Sequence, residues 1–425
     1  MSVSRLDKFV RERAKTASLA EAHSARERAI ELAIASGASS HLVRAAVALA
    51  VRCFTGAVHL VVDDADGDAA SVAIEEARTY GAEARVRIGS GTEPVVRLGL
   101  GKAIDGVFVD AAGPVAYVNM LATRNEAAWP PAAAFAAACG FGKLFATMIG
   151  VDRGICEEEW SFSLLTLNTP APSDQPTVPA ELDVGNVVLI GAGAIGSAFA
   201  FVLKTSGWRC ELRIVDPQGY DEPNHETTLL IAKRDALARL PKAKTLAGLV
   251  AGGSITADAL EDRVGPGHAV LESRCDVLVC AVDNPDTRRI LGDAACDVLL
   301  NGAVGGSGLD AGLVLWTRHA QGDHLLASLY PHVAETTSNT PPPTEVAGDE
   351  CSRVEYEGVA LAAPFMALAS ASLLAAACAH RVLGTLPAPR YLQFDLLELQ
   401  SKYSERGRPS DSLLYRSAKE TVGSK

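Results

Sequence analysis

The stretch Val187–Phe201, with the sequence VVLIGAGAIGSAFAF, decides the fold. It begins with apolar residues typical of a buried strand, continues into glycines, and ends in small residues typical of a helix. Gly191, Gly193 and Gly196 have the G-x-G-x-x-G spacing, which lets a loop backbone and a helix N-terminus approach a phosphate group. The stretch therefore predicts a nucleotide site, without distinguishing a dinucleotide from ATP.

Strand-like and helix-like segments alternate after this stretch. Strands are predicted at CELRIVD (210–216), SITAD (254–258), CDVLVCAVDN (275–284), VLLNGAV (298–304) and DAGLVLWTR (310–318). A long apolar helix is predicted to begin at Pro364, since proline is favoured in the first helical turn, and to end at Gly384. Such alternation favours an α/β fold with a Rossmann-like, doubly wound and mostly parallel sheet.

The amino-terminal part of the chain is predicted to be a second α/β unit. Residues 1–55 mix charged and apolar residues at helical spacing and are predicted to be helical. Strands are predicted at VHLVVDDADGD (58–68), DGVFVDAAG (105–113) and WSFSLLTL (160–167). A segment rich in proline, serine and threonine (168–183) follows and is typical of a linker.

Segments of the two halves resemble each other in pairs. LVVDD (60–64) is similar to RIVDP (213–217), and DGVFVDAAG is similar to DVLVCAVDN (276–284). Similarity at a long period favours a duplication, although buried α/β elements also resemble one another without a common origin. We expect a first domain at 1–180 that lacks a glycine-rich loop, a nucleotide-binding domain at 181–400, and a polar tail at 401–425.

Composition excludes several classes of protein. The formal net charge of −12 argues against binding of nucleic acid through a basic surface. The nine cysteines include no C-x-x-C pair, which argues against a zinc ribbon. The N-terminus does not have the pattern of a signal peptide, and the apolar run at 132–150 contains Lys143 and predicts a core helix rather than a membrane span. We expect a cytoplasmic protein with reduced thiols.

Polar residues after the glycine loop narrow the choice of nucleotide. Asp216 ends the second predicted strand, where a carboxylate can accept hydrogen bonds from ribose hydroxyls, as in an NAD site. The chain then has Asn224, the pair Pro241–Lys242, the strand end Asp283–Asn284, and Arg288. A lysine can supply a point charge to phosphates, and a carboxylate at a strand end can hold Mg²⁺.

This set of residues, in this order, resembles the adenylation domain of the ubiquitin-activating-enzyme family over about residues 184–400. The family includes the ThiF- and MoeB-like adenylyltransferases of thiamine and molybdopterin biosynthesis. The resemblance implies that a protein's C-terminal carboxylate attacks the α-phosphate of ATP and expels pyrophosphate, with Lys242 and Asp283 as catalytic residues and Mg²⁺ at Asp283. The nucleotide-binding residues that it implies are Gly191, Gly193, Gly196, Asp216, Asn224, Lys242, Asn284 and Arg288.

The sequence departs from the family pattern at two positions. Gln218 replaces the second acid after the second strand, and Thr227 replaces an arginine that contacts phosphate. The missing positive charge leads us to expect a substitute. It comes either from Lys233 or Arg234 nearby or from the first half or a second subunit, with Arg11 and Arg13 as candidates in the first half.

Cys351 lies in the predicted crossover loop (330–357), before the apolar helix, where family members often carry a cysteine. The resemblance implies that Cys351 accepts the activated acyl group as a thioester and passes it to a conjugating-enzyme-like protein. The implied partner is a ubiquitin-like protein that ends in glycine. The implied assembly is either a homodimer or an intramolecular pseudo-dimer in which the first half is inactive, and an antiphage conjugation system is one setting for such a chain.

Three alternatives remain open at this stage. The chain could adenylate a sulfur-carrier protein in cofactor biosynthesis, a role that the lack of zinc-type cysteine pairs disfavours slightly. It could instead be an NAD-dependent oxidoreductase that uses the same glycine fingerprint, or a non-enzymatic scaffold, which Thr227 favours. ATP–pyrophosphate exchange that depends on a small ubiquitin-fold protein would separate the proposed reaction from all of these except the sulfur-carrier alternative. The oxidoreductase predicts a melting shift with NAD and none with ATP–Mg²⁺.

Overall fold

The structure is a computed structural model that describes most of both halves of the chain. The described residues are 4, 6–7, 19–63, 68–92, 95–123, 126–148, 159–305, 313–319, 363–385, 391–396 and 399–404. They form two sheets, one in each half, with helices packed on their faces.

The first sheet has seven strands in the order β3-β2-β1-β4-β5-β6-β7. Strands β1 to β5 are parallel, and β6 and β7 complete the sheet in antiparallel pairing. The strands are β1 Ala29–Ile34, β2 Val58–Val62, β3 Val86–Ile88, β4 Val95–Leu100, β5 Val107–Ala112, β6 Val115–Val118 and β7 Trp160–Ser163.

The second sheet has eight strands in the order β10-β9-β8-β11-β12-β13-β14-β15. Strands β8 to β12 are parallel and β13 to β15 are antiparallel. The strands are β8 Asp183–Ile190, β9 Arg209–Val215, β10 Ile255–Leu260, β11 Cys275–Cys280, β12 Cys296–Gly305, β13 Leu313–His319, β14 Tyr391–Asp395 and β15 Gln400–Ser404.

Helices cover both faces of the second sheet. The described helices are α1 Leu19–Arg26, α2 Ser40–Cys53, α3 Asp68–Thr79, α4 Pro130–Met148, α5 Ala194–Ser206, α6 Asn224–Thr227, α7 Lys233–Leu237, α8 Lys242–Val250, α9 Ala269–Glu272, α10 Pro285–Ile290 and α11 Pro364–Leu383. One apolar cluster joins the sheet to α5 and α11, and a separate one joins its other face to the residues around α9 and α10. The predicted α/β, doubly wound and mostly parallel fold is therefore confirmed.

The two sheets repeat one strand order, since β3-β2-β1-β4-β5-β6-β7 corresponds to β10-β9-β8-β11-β12-β13-β14. Two predictions about the first half of the chain were wrong. Residues 1–55 are not all helical, because Ala29–Ile34 is the central strand β1. DGVFVDAAG forms β5, which corresponds to β12 and not to the DVLVCAVDN strand β11.

The long apolar helices α4 and α11 pack against each other between the sheets. Both are long and apolar enough to cross a membrane, but 89% and 83% of their apolar windows are buried within the protein. Phe135 of α4 lies 5.0 Å from Phe394 of β14, ring to ring, and Trp129 lies 5.8 Å from Trp208. A continuous apolar core thus joins the halves, as expected for core helices.

Candidate functional site

The glycine loop lies at the carboxyl end of β8, between β9 and β11. The backbone N–H of Gly191 donates to the Val215 carbonyl of β9 (2.9 Å), and the N–H of Ala281 donates to the Ile190 carbonyl (2.8 Å). The chain leaves β8 for β9 on one side and returns to β11 on the other, so the loop lies at the point where the strand order reverses. In open α/β sheets this crevice is where ligands bind.

Two of the three glycines are required by the backbone itself. Gly191 has φ +98°, and a Cβ on Gly196 would lie 1.9 Å from the Gly191 carbonyl oxygen. Gly193 is the N-cap of α5, and a Cβ placed there would meet nothing within 4 Å. Open space next to a helix N-terminus leaves room for an anionic group, so this loop fits a phosphate.

Asp216 holds the glycine loop from the β9 side. One carboxylate oxygen accepts from the N–H of Ala192 (2.8 Å) and the other from the N–H of Gln218 (2.8 Å). The Tyr220 hydroxyl donates to the Ala192 carbonyl (3.3 Å), and burial, with Asp216 nearby, raises the pKa of that hydroxyl. Asp216 therefore orders the loop through its backbone, in addition to any contact with a nucleotide.

Lys242 contacts Gln218, one of the two residues that depart from the pattern used in the sequence analysis. Lys242 is the first residue of α8, and its Nζ donates to Gln218 Oε1 (2.7 Å). Its ammonium also lies 6.0 Å from the centre of the Tyr220 ring. Because the amide of Gln218 is neutral, this contact positions the ammonium without adding a negative charge beside it.

The short helix α6 carries Asn224 and Thr227, and both are buried (7% and 4% exposed). Asn224 Oδ1 accepts from the N–H of Asp221 (2.7 Å), which closes the turn before the helix. After α6, the N–H of Leu229 donates to Ser197 Oγ in the first turns of α5 (3.0 Å). The structure thus ties α6 to the helix that follows the glycine loop.

Asp283, Asn284 and Arg288 lie on the β11 side of the loop. Asp283 is exposed, while Asn284 caps α10 by accepting from the N–H groups of Asp286 (2.8 Å) and Thr287 (3.2 Å). Arg288 is 5% exposed and donates to Asn301 Oδ1 (2.6 Å).

Arg288 also donates to the carbonyl of Val282, directly before Asp283. Its guanidinium therefore binds the backbone of the loop that carries Asp283. Nucleotide contacts by Asn284 and Arg288 remain a prediction.

The first half reaches α6 through buried charges. The Arg52 guanidinium of α2 donates to the Ile231 carbonyl and lies 4.5 Å from the Tyr80 ring centre, and burial lowers its pKa to about 10. Arg26 of α1 lies 3.9 Å from Glu226 of α6. These contacts place two first-half arginines next to the segment that carries Thr227, where the sequence resemblance leads us to expect a substitute positive charge.

Ser4 and Asp7, near the N-terminus, contact the same charged residues between the first half and α6. Ser4 Oγ donates to Glu226 Oε2 (2.7 Å), and Arg26 Nη1 donates to Asp7 Oδ1 (2.7 Å). Lys233 and Arg234 are exposed on α7. Arg11, Arg13 and Cys351 lie outside the described residues.

Sequence reasoning missed three contributors to this site. Gln218 appeared only as a departure from a pattern, although it touches Lys242, and Tyr220 was not considered. Arg52 was also missed, because its contact with Ile231 joins residues far apart in the chain. Only the short spacing from Asp216 to Gln218 and Tyr220 offered a sequence signal.

Residues 185–385 match the family model described as the BilD C-terminal domain, which is less than half of the chain. No curated protein matches the chain. The chain is also similar to a crystal structure of E. coli MccB with ATP, at 13% identity and a TM-score of 0.38, covering 54% of this chain and 66% of that chain.

A crystal structure of PaaA is similar at 13% identity and a TM-score of 0.37, covering 52% of this chain and 64% of that chain. The chain therefore spans a little less than two thirds of the length of these structures. Its similarity to the BilD C-terminal domain falls on the half that carries the glycine loop, Lys242 and Asp283.

Proposed function

We propose that the chain uses ATP to adenylate the C-terminal carboxylate of a ubiquitin-like protein. The observation that carries the proposal is the pairing of a glycine loop at the strand-order reversal with Lys242 on one side and Asp283 on the other. The carboxylate attacks the α-phosphate, and the bond to pyrophosphate breaks. Such a reaction depends on positioning and on stabilising negative charge, which a preorganised ammonium supplies.

Each part of the site has a place in this reaction. In this proposal the loop around Gly193 receives phosphate groups at the N-terminus of α5, and Asp216 at the end of β9 accepts hydrogen bonds from the ribose. Lys242, aimed by Gln218, approaches the phosphates. The exposed carboxylate of Asp283 would supply one oxygen ligand to Mg²⁺, which would neutralise phosphate charge when bound. Among the described residues no group of three or more His, Cys, Asp or Glu side chains could hold a metal ion, so the phosphates would have to supply further ligands.

Exchange of labelled pyrophosphate into ATP tests the adenylation step. We expect exchange that requires a small ubiquitin-fold protein with a C-terminal glycine, and we expect Lys242→Ala to lower it by about 10²-fold or more, the usual cost of losing one preorganised charge. Lys244→Ala is the matched control, because Lys244 is exposed on the same helix.

Equal exchange in the two variants would contradict the role of Lys242. A melting shift with NAD but not with ATP–Mg²⁺ would favour the oxidoreductase instead. Exchange that requires a sulfur-carrier protein, and not one of a conjugation system, would favour the cofactor-biosynthesis alternative.

The thioester step is a separate part of the proposal. The acyl group moves from AMP to the Cys351 thiolate, AMP leaves, and a conjugating-enzyme cysteine then takes the acyl group. A partner adduct that reductant removes and that Cys351→Ala abolishes would support this step, provided that the variant keeps pyrophosphate exchange. A wild-type protein that exchanges pyrophosphate but forms no adduct would exclude it.

The first half is proposed to support the site without binding nucleotide itself. At the corresponding end of the first sheet, the Lys102 ammonium after β4 pairs with the Asp63 carboxylate after β2. This ion pair lies at the end of the first sheet, at the position that corresponds to the glycine loop of the second sheet. The N-terminal contacts at Glu226 also support a contribution from Arg11 or Arg13, and loss of exchange in the double alanine variant would test it.

A further inference from the structure

Strands β11 and β12 place two thiols side by side. Both strands begin with the sequence Cys-Asp-Val-Leu, and their register pairs Cys275 with Cys296. Neighbouring strands lie about 4.8 Å apart, which is within the range of Cα separations that a disulfide spans. Because the strands are parallel and in register, the two thiols point to the same face of the sheet.

The thiols interact with each other, which distinguishes them from the other described cysteines. A hydrogen bond with Cys296 lowers the pKa of Cys275 and raises that of Cys296. Burial raises the pKa of each of the remaining described cysteines, which are Cys53, Cys139, Cys210, Cys280 and Cys378. The contact between the two thiols favours the thiolate of Cys275 within the pair, and the thiolate is the nucleophile.

An arginine holds the two strands in this register. Asp276 and Asp297 follow the two cysteines and point to the opposite face, where both contact the Arg381 guanidinium of α11. The Asp297 contact is 2.8 Å long, and Arg381 lowers the pKa of that carboxyl. One cation shared by two in-register carboxylates opposes slippage of the strands, so the thiols on the other face stay opposite each other.

We propose that Cys275 and Cys296 form a reversible disulfide, with hydrogen peroxide as the oxidant. The Cys275 thiolate attacks one peroxide oxygen, the O–O bond breaks, and hydroxide leaves and takes up the proton that Cys275 had lost. The Cys296 sulfur then attacks the resulting sulfenic acid, the S–O bond breaks, and water leaves with the Cys296 proton. Two thiols and one peroxide thus give one disulfide and two waters.

Burial restricts which oxidants can react. Cys275 and Cys296 are 3% and 6% exposed, so a small oxidant is needed and the end of the sheet must open briefly. The disulfide would close the loop 275–296, which carries Asp283, Asn284 and Arg288. Cross-linking would restrain that loop in the unfolded chain and raise the melting temperature of the oxidised protein. The linkage would form whether or not the chain uses ATP.

Peptide mapping of the full-length protein tests this proposal. The protein is reduced, treated with hydrogen peroxide, blocked with N-ethylmaleimide and digested with trypsin without reductant. Cleavage after arginine gives peptide 275–288, which carries Cys275 and Cys280, and peptide 290–318, which carries Cys296. We expect these peptides to be linked, with a mass lower by two hydrogen atoms than the sum of the separate peptides, and to separate on reduction.

Two variants assign the linkage. Cys280→Ser should keep it, because Cys280 lies beside Asn301 in the register, whereas Cys296→Ser should abolish it and leave Cys275 to oxidise further. The oxidised wild-type protein should also melt at a higher temperature than the reduced one, and Cys296→Ser should not. Absence of the linked peptide in the wild type, or a linkage that requires Cys280, would overturn the proposal.

Discussion

Single atoms decide whether the glycine loop can form. A Cβ on Gly196 would overlap the Gly191 carbonyl oxygen at 1.9 Å, whereas the same atom on Gly193 would meet nothing within 4 Å. Packing therefore requires a glycine at position 196, whereas the backbone at position 193 leaves space for a ligand. The G-x-G-x-x-G pattern alone does not separate these roles.

Alanine substitution at each glycine should separate stability from nucleotide binding. Gly196→Ala forces a backbone shift, and we expect it to destabilise the protein by about 1–3 kcal/mol, the usual cost of overpacking. Gly193→Ala should leave the denaturant midpoint near that of the wild type but reduce the melting shift with ATP–Mg²⁺. A stable Gly196→Ala variant that still binds ATP would contradict the described loop.

Two histidines set an expected pH dependence of stability. Burial lowers the pKa of His41, helped by Arg44, and burial also lowers that of His225. The unfolded chain therefore binds more protons than the folded one below about pH 6.5, the ordinary histidine value, and stability falls as the pH drops through this range. We expect His41→Gln with His225→Gln to flatten the fall in urea midpoint between pH 7.5 and pH 5.5, relative to the wild type. An unchanged slope would show that these two histidines do not cause the pH dependence.

At the scale of elements, a side chain predicted to bind nucleotide is seen capping a helix. Asn284 accepts two backbone N–H groups at the start of α10, and Arg288 on the same helix donates to the Val282 carbonyl. The helix therefore fixes the loop on which Asp283 lies. Capping and ligand binding use the same oxygen types, so the sequence does not tell them apart.

Substitution of Asn284 should distinguish capping from binding. Asn284→Ala removes the cap, and we expect a loss of about 1 kcal/mol in the free energy of unfolding. Asn284→Asp keeps an N-cap acceptor and should keep the stability. If Asn284→Asp keeps the stability but loses the ATP-dependent melting shift, Asn284 also contacts the nucleotide. If the two variants have the same free energy of unfolding, the capping role is wrong.

The elements that sequence patterns predicted poorly have identifiable physical causes. Residues 1–55 are predicted to be helical because they mix charged and apolar residues at helical spacing, yet strand β1 lies among them. The structure buries Glu31 of this strand and pairs it with Arg97 of β4 (3.2 Å). The loop after β8 was predicted because its constraint is local. The Lys242–Gln218 and Arg52–Ile231 contacts were not, because they join residues brought together only by the folded sheet.

At the scale of the whole molecule, the two sheets share one apolar core. Helices α4 and α11 are almost entirely buried where they face each other, and Trp129 of one half packs on Trp208 of the other. Each half buries much of its apolar surface only against its neighbour. Their repeated strand order does not make them independent folding units.

Truncation should show this dependence. A chain of residues 181–425 would expose the apolar faces of α5 and α11, so we expect it to aggregate or to lose a cooperative thermal transition. Full-length protein should unfold in a single transition by circular dichroism and calorimetry. A soluble fragment that melts cooperatively and binds ATP would show that the halves fold separately.

The contact between Arg52 and the Ile231 carbonyl constrains how the two halves of the chain can evolve. The arginine lies on helix α2 of the first half, and the segment that it holds lies in the second half. Because the acceptor is a backbone carbonyl, any residue at position 231 keeps it, and the constraint falls on Arg52 and on the path of the second-half backbone that it binds. Recombination that exchanges one half between diverged relatives should therefore yield inactive offspring more often than exchange of the whole chain, and the two halves should be inherited together.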